Sequence, residues 1–319
     1  MNRKIAIDTG KHTTKVVAET KGNTTKRISL VTAMKENVAM TQDPTNHIIE
    51  YKGTKYLVGS QAKTFMEVDN SKDTELHKIC VITTLAVACD DGDKADVTIG
   101  FPLDRFYHKE ERIEYKNNML PLGKHTVTID GNKKSFEIVR AAVRPEGYGA
   151  VHYKQDLFRD RTVNVVDIGG LNVNASTYKN GILQEGNITT LQKGGIMLYT
   201  DSLVALKTIA NEKMLKALDP LSPEAIEDDV IRGYHELIEG SEEKLRDVRT
   251  VFVNDIFNEL MKKKFDMTKK IFFMGGTSLI LKKELTEKFG DDICIFGAGN
   301  IKDMQFINAE GFYRGMKNK

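Results

Sequence analysis

Two short motifs that combine an aspartate with glycine are the clearest chemical pattern in this chain. The first reads Asp8-Thr9-Gly10 and the second reads Asp167-Ile168-Gly169-Gly170. Each follows an apolar run and precedes a polar turn and a second apolar run. Glycine allows backbone N–H groups to approach phosphate oxygens closely. A carboxylate repels phosphate but holds Mg²⁺, usually through the metal's own waters. The pattern therefore predicts phosphate and Mg²⁺ binding.

The spacing of the two motifs carries more weight than either motif alone. An Asp-x-Gly turn ends many ordinary hairpins. Here, however, Asp8 and Asp167 lie about half a chain apart in a sequence of 319 residues. A duplication at that spacing predicts two similar domains that face each other across a cleft and bind one nucleotide.

Further glycine and lysine residues belong to the same predicted site. Gly275-Gly276-Thr277 follows a buried strand and precedes a helix, which favours either a tight turn or close approach to a nucleoside. Gly194-Gly195 precedes another helix. Lys11 and Lys15 follow the first motif, where an ammonium group reaches phosphate oxygens. The candidate nucleotide-binding residues are Asp8, Thr9, Gly10, Lys11, Lys15, Gly169, Gly170, Asn172, Gly194, Gly195, Gly275, Gly276 and Thr277, with Asp8 and Asp167 as ligands of Mg²⁺ through water.

Glu146 is the candidate catalytic residue, together with Asp167. It lies in Arg144-Pro145-Glu146-Gly147, between a hairpin strand and a helix predicted over 148–159. A glutamate beside a helix start is commonly only a favourable partner of the helix dipole. At the junction of the two halves it is also placed to orient, or take a proton from, a water aimed at a terminal phosphoryl group.

The elements expected to position these residues alternate between strands and helices. The first motif lies in a three-stranded unit over 4–31, and 163–192 repeats that plan with Asn180-Gly181 as a hairpin turn. Further predicted strands cover 48–51, 55–58, 96–100, 127–129, 136–143, 270–274 and 293–296. Predicted helices cover 75–89, 148–159, 196–218, 278–289 and 308–316. Another begins after Ser222, with Pro223 at its first position, and a further one begins at Ser241.

Composition restricts the function classes. The net charge is +2 with an isoelectric point near 8.2, so no basic field favours direct binding of nucleic acid. Cys80, Cys89 and Cys294 lack metal-ligand spacing, which suits a reducing compartment. The apolar run over 79–89 is too short to span a bilayer, and we find no signal-peptide core. We expect a cytoplasmic protein without membrane contact.

The motifs resemble a known superfamily. Asp8-Thr9-Gly10, Asp167-Ile168-Gly169-Gly170 and Gly275-Gly276-Thr277 are similar to the two phosphate motifs and the adenosine motif of actin, sugar kinases and heat-shock chaperones. Within that superfamily, the segments over 51–59, 99–103 and 145–150 resemble the bacterial actin-like ParM family of plasmid segregation proteins. The resemblance covers essentially the whole chain, in the expected order.

This resemblance implies an α/β, actin-like fold of two duplicated ribonuclease-H-like domains around a nucleotide cleft. Domain I would cover 1–150 with a small subdomain inserted at about 34–74, and domain II would cover 151–319 with a helical subdomain inserted at about 197–250. It further implies an ATPase (GTP is an alternative) that requires Mg²⁺ and polymerises into filaments. Those filaments would move plasmid DNA through an adaptor protein bound at a centromere-like site.

Three other functions remain open. A small-molecule kinase of the same superfamily would need a substrate pocket with a base, and the sequence shows no additional signature of one. A chaperone is disfavoured because no peptide-binding domain follows the nucleotide motifs. A membrane-tethered cell-shape actin is disfavoured because no amphipathic terminal helix is evident. Nucleotide-dependent polymerisation separates the filament protein from the kinase.

Overall fold

The computed structural model describes residues 1–37, 43, 45–62 and 72–317. Its strands are β1 (Asn2–Thr9), β2 (Thr13–Glu19), β3 (Thr25–Val31), β4 (Met34–Glu36), β5 (His47–Tyr51), β6 (Thr54–Val58), β7 (Asp93–Phe101), β8 (Gly123–Ile129), β9 (Asn132–Pro145), β10 (Thr162–Ile168), β11 (Val173–Lys179), β12 (Ile182–Leu191), β13 (Lys270–Met274) and β14 (Cys294–Phe296). Parts of the predicted small subdomain, at 38–42, 44 and 63–71, lie outside the described residues.

Its helices are α1 (Glu75–Ala88), α2 (Lys109–Met119), α3 (Gly149–Tyr153), α4 (Gln155–Phe158), α5 (Gly195–Ile209), α6 (Glu212–Leu218), α7 (Glu227–Arg232), α8 (Ser241–Lys262), α9 (Gly276–Ile280), α10 (Lys282–Phe289), α11 (Ile301–Met304) and α12 (Ile307–Lys317). Within the described ranges, none of them has the length and apolar character needed to cross a bilayer.

Two β-sheets share one plan. The larger has the order β3-β2-β1-β7-β9-β8-β5-β6-β4, and the smaller has the order β12-β11-β10-β13-β14. In both, the first three strands form an antiparallel meander, and the strand that carries the aspartate then pairs in parallel with a later strand. The strands β3, β2, β1, β7 and β9 of the larger sheet therefore correspond to the five strands of the smaller sheet. This correspondence confirms the predicted duplication.

The chain divides into two compact units. The first comprises residues 1–155 and 306–319, and the second comprises residues 156–305. In the first unit, α12 packs on α3, β1, β2 and β7. Ala6, Val17 and Phe312 belong to the apolar cluster of this contact. The structure thus assigns residues 306–319 to the same unit as β1, whereas the sequence division placed them with the second half.

Each unit has its own apolar core. In the first, α1 packs over the large sheet, and buried residues of this helix join those of β1 and β7. In the second, α5, α8 and α10 surround β10 and β13. Apolar runs in the sequence predicted the strands that carry an aspartate, and these strands are buried nearly throughout.

Three predicted helices are interrupted. The helix predicted over 148–159 is α3 and α4, because Lys154 leaves helical geometry with φ −133° and ψ 57°. The helix predicted over 196–218 is α5 and α6, because the Asn211 side chain accepts a hydrogen bond from the Met214 N–H and starts a new helix. The helix predicted over 278–289 is α9 and α10, which meet at Leu281.

The helix α2 was not predicted. α2 is rich in charged residues, and its buried side chains are Tyr115 and Met119. Two buried positions do not make the apolar stripe by which an amphipathic helix is usually found in a sequence. The omission matters because Tyr115 contacts the first motif.

Candidate functional site

The first motif lies where β1 ends. The Gly10 N–H donates to the Asp8 carbonyl oxygen at 3.1 Å, and the Thr32 hydroxyl donates to the Gly10 carbonyl oxygen at 2.8 Å. In the pairing of β1 with β2, Asp8 lies opposite Lys15. The Lys15 Nζ atom lies 3.0 Å from the position that a Cβ at Gly10 would occupy. The ammonium group predicted to bind phosphate is therefore held directly over the glycine of the turn.

The Asp8 carboxylate is buried among charges of both signs. It is 8% exposed, and this burial raises the pKa of the Asp8 carboxyl group. The cations Lys15 and Lys72 act in the opposite direction, whereas the negative charge of Glu146 raises the pKa further. A buried carboxylate of this kind favours an additional cation beside it.

Glu146 shares that environment. Its N–H donates to the Phe101 carbonyl oxygen at 3.0 Å, and the next N–H, of Gly147, donates to Asn308 Oδ1 at 3.0 Å. A Cβ at Gly100 would lie 3.6 Å from Asp8 Oδ1 and 3.8 Å from Glu146 Cγ. The predicted metal ligand and the predicted catalytic residue thus flank one glycine of β7.

Three residues that the sequence did not point to complete this part of the site. Lys72 forms a buried ion pair with Glu146. The Tyr115 hydroxyl lies 3.2 Å from Thr9 Oγ1 and donates to the Gly100 carbonyl oxygen at 3.1 Å. The third is Asn308, on α12. In the sequence each of them is a single polar residue without a motif, and most such residues have no functional role.

Lys11 lies near a buried histidine. His77, on α1, is fully buried, and its Nδ1 atom lies 3.0 Å from Thr74 Oγ1. Burial, together with the positive charges of Lys72 and Lys11, lowers the pKa of His77 to about 3. His77 is therefore neutral at physiological pH, and the cations near the first motif are its lysines.

The second motif forms a compact cluster of glycine turns. The Gly169 N–H donates to the Asn172 carbonyl oxygen at 3.0 Å, and the Gly169 carbonyl oxygen accepts from the Gly195 N–H at 2.9 Å. The same oxygen accepts from the Thr277 hydroxyl at 3.2 Å. A Cβ at Gly194 would collide with the backbone of Gly170. The structure thus brings together the predicted residues of three separate segments.

Gly275 packs directly on the second aspartate. It has φ +82°, a conformation that favours glycine, and a Cβ there would collide with Asp167 Oδ1 and the Ile168 carbonyl oxygen. A Cβ at Gly276 would lie 3.1 Å from Gln305 Nε2. The protein's own packing therefore accounts for both glycines, and contact with a nucleoside stays a prediction.

The metal ligands also stay a prediction. Across the described residues, no group of three or more His, Cys, Asp or Glu side chains is arranged to hold a metal ion. Mg²⁺ does not require such a group, since it usually keeps several waters and takes one or two carboxylates.

A family comparison covers the first part of the chain. The family described as "Actin like proteins N terminal domain" matches residues 6–149. This range includes the first motif, β7 and the Glu146 turn. No curated protein sequence matches the chain significantly.

Comparison with solved structures covers the whole chain. The Alp12 filament structure has a TM-score of 0.75 and 22% identity, covering 99% of this chain and 98% of the other. The ADP complex of Ta0583, an archaeal actin homologue, has a TM-score of 0.76 and 18% identity, covering 99% of each chain. The 15-stranded ParM filament from Clostridium botulinum has a TM-score of 0.73 and 20% identity, covering 100% of each chain. These similarities show that the fold is actin-like.

Proposed function

We propose, from the premise that this chain is an actin-like protein related in fold to ParM, that it is an Mg²⁺-dependent nucleoside triphosphatase that polymerises into filaments. The observation that carries the proposal is the repeated half-site. In each sheet, the first strand of the chain segment pairs in parallel with a later strand and ends in an aspartate followed by a glycine turn. A protein without a phosphate ligand has no evident need for both copies.

The first unit would supply most of the charge. Lys15, held over Gly10, would neutralise phosphate oxygens as a point charge. Lys11 would do the same from the turn. Asp8 and Asp167 would hold Mg²⁺ through its waters, and the bound metal would neutralise the charge that develops on the phosphates. The buried, partly uncompensated Asp8 carboxylate supports this assignment.

The second unit would supply close backbone contact. The cluster of Gly169-Gly170, Gly194-Gly195 and Gly275-Gly276 leaves the backbone without side chains, which suits phosphate and sugar groups. ADP in the Ta0583 complex supports a nucleotide as the ligand of this fold. ATP and GTP are both compatible with these contacts, because none of them reads the base.

Hydrolysis would be assisted by Glu146. The water oxygen forms a bond to the terminal phosphorus, and the bond from that phosphorus to the bridging oxygen breaks, its electron pair leaving with the diphosphate. Glu146 orients the water and takes its proton. The backbone hydrogen bonds of Glu146 and Gly147 fix the turn that carries this carboxylate. Asp167 assists by orienting the waters of the metal.

Polymerisation would follow from a head-to-tail contact. Such a contact is heterologous and need not close, so it yields a filament. If the nucleotide favours one conformation of the subunit and the contact favours the same one, assembly depends on the bound triphosphate. As in ParM proteins, the filament would move plasmid DNA through an adaptor bound at a centromere-like site.

Light scattering and pelleting test this proposal. At micromolar protein, both signals should rise on adding ATP or GTP with Mg²⁺ and fall as the nucleotide is consumed. EDTA should abolish the rise. A protein that stays monomeric or dimeric with either triphosphate, and with a non-hydrolysable analogue, would contradict the filament and favour the small-molecule kinase.

A further inference from the structure

Lys72 is a buried charged residue of the first unit. It is 5% exposed, and its ammonium group donates to Oε1 of Glu146, which is 4% exposed. Transferring both charges from water is costly, and a well-packed apolar pair is often at least as stable. The pair is therefore poorly explained by stability alone.

The surroundings of this ammonium group point to a ligand. Glu146 and Asp8 flank Gly100, and the charge of Lys72 acts on both Asp8 and Glu146. His77, which also feels the charge of Lys72, is neutral and cannot replace it. Lys72 is thus a buried cation shared by the two carboxylates to which we assign the metal and the attacking water.

Its place in the chain differs from that of Lys15. Lys15 is fixed on β2 by strand pairing, whereas Lys72 precedes the first turn of α1, whose N-cap is Thr74. A four-carbon side chain outside regular structure reaches several positions with little change of backbone. It is suited to exchange one anionic partner for another.

We propose that Lys72 detects the terminal phosphate of the bound nucleotide and controls Glu146. Without that phosphate, its ammonium group pairs with Glu146 and occupies the carboxylate that would orient water. A terminal phosphate oxygen replaces Glu146 as the partner of Lys72, and the released carboxylate then engages the water. Lys72 is a positioning residue in this scheme, and the inference rests on the nucleotide hydrolysis proposed above.

Affinity measurements test this exchange without relying on turnover. Dissociation constants are measured by calorimetry in Mg²⁺ for ADP and for a non-hydrolysable ATP analogue. Lys72→Met should weaken binding of the analogue by about ten- to a hundredfold, the scale of one charge-assisted hydrogen bond, and change ADP binding by less than about threefold. Lys72→Arg should keep most of the preference for the analogue.

Two further variants show whether a loss of binding in Lys72→Met results from misfolding. Lys72→Met leaves Glu146 buried without its cation, so the double variant Lys72→Met/Glu146→Gln restores a neutral pair and should still lack the preference. Glu146→Gln alone releases Lys72 and should bind the analogue about three- to tenfold more tightly than the wild type. Lys134→Met is the matched control, because Lys134 is a half-buried lysine of the same unit whose ammonium group donates to the carbonyl oxygens of Ala86 and Cys89. It should bind both nucleotides as the wild type does.

The outcomes separate the two proposals. Equal weakening of ADP and analogue binding in Lys72→Met, or no weakening in the double variant, would overturn the role of Lys72 while leaving nucleotide binding intact. A wild-type protein that binds neither nucleotide would overturn the proposed function and, with it, this inference.

Discussion

The turn after Asp8 lies among charged side chains, whereas the turn after Asp167 is packed against glycine backbone. Asp8 pairs across the sheet with Lys15, and Asp167 pairs at the same offset with Asn174. A Cβ at Gly100, on the parallel strand next to β1, would lie at an ordinary contact distance from Asp8. A Cβ at Gly275 would collide with Asp167. The same arrangement of strands therefore carries a charged turn after Asp8 and a glycine-lined turn after Asp167.

The difference indicates a division of labour within a duplicated scaffold. Charged groups stabilise developing charge in a reaction, and they do so best where burial lowers the local dielectric constant. Bare backbone, in contrast, permits close approach and defines shape. We expect substitutions in the first unit to change chemistry and pH response, and substitutions in the glycine cluster to change stability.

The largest effect should come from Glu146→Gln. The amide keeps the shape of the side chain but cannot take a proton, so turnover should fall by about 10²–10⁴-fold. Phosphate release at saturating nucleotide measures this, with nucleotide affinity measured in parallel. Asp104→Asn, a change at an exposed acid near β7, is the control and should be neutral. Wild-type turnover in Glu146→Gln would remove this residue from the mechanism.

The charged half-site should also make the first unit sensitive to acid. His77 is neutral in the folded protein, with a pKa of about 3, against about 6.5 in an unfolded chain. The unfolded chain therefore binds the proton more readily, and stability is lost as the pH falls from about 6.5 to about 3. The loss should reach about 3–5 kcal/mol over that range.

His77→Asn should flatten this pH dependence, because asparagine does not titrate. Urea unfolding at several pH values measures it, with hydrogen exchange of the β1 and β10 amides reporting on each unit. His108→Asn is the control, since His108 is largely exposed. An unchanged slope in His77→Asn would show that other groups cause the acid sensitivity.

The smallest effect concerns the glycine cluster. Gly275→Ala places a Cβ against Asp167 at a positive φ and should lower the free energy of unfolding by about 2–4 kcal/mol. Gly240→Ala is the control, because Gly240 has φ +76° but open space around it. This substitution measures the cost of the backbone conformation alone and should lower the free energy of unfolding by about 1 kcal/mol.

Gly100→Ala sharpens the comparison between the two units. Its Cβ would meet Asp8 and Phe312 at ordinary contact distances, so the protein should stay within about 1 kcal/mol of the wild type. Urea unfolding compares all three variants. Equal losses at Gly100 and Gly275 would contradict the difference in packing between the two half-sites.

Local pattern predicted much of this fold. Both aspartate motifs, the meanders around them and the strand before Gly275 follow from apolar runs and turn residues that lie next to each other in the sequence. The duplication was visible because the two copies have the same order of turn and strand. The helix breaks at Lys154 and Asn211 were not predicted, because helix-forming residues continue past both positions.

The remaining site residues depend on contacts that no local pattern specifies. Lys72 meets Glu146, Tyr115 meets Thr9, and Asn308 meets Gly147 across long stretches of chain. A lone lysine or asparagine has the same local appearance whether it faces solvent or a buried carboxylate. Tertiary packing alone decides which of them joins the site.

The placement of α12 has a consequence for protein synthesis. Asn308 holds the Glu146 turn, and the backbone of Gly311 packs so closely on Gly149 that a Cβ would collide. On the ribosome, about 170 more residues must be added after this turn before α12 is complete, which takes roughly 9–34 s at 5–20 residues per second. Until residues 306–317 emerge, a nascent chain has no completed Glu146 turn.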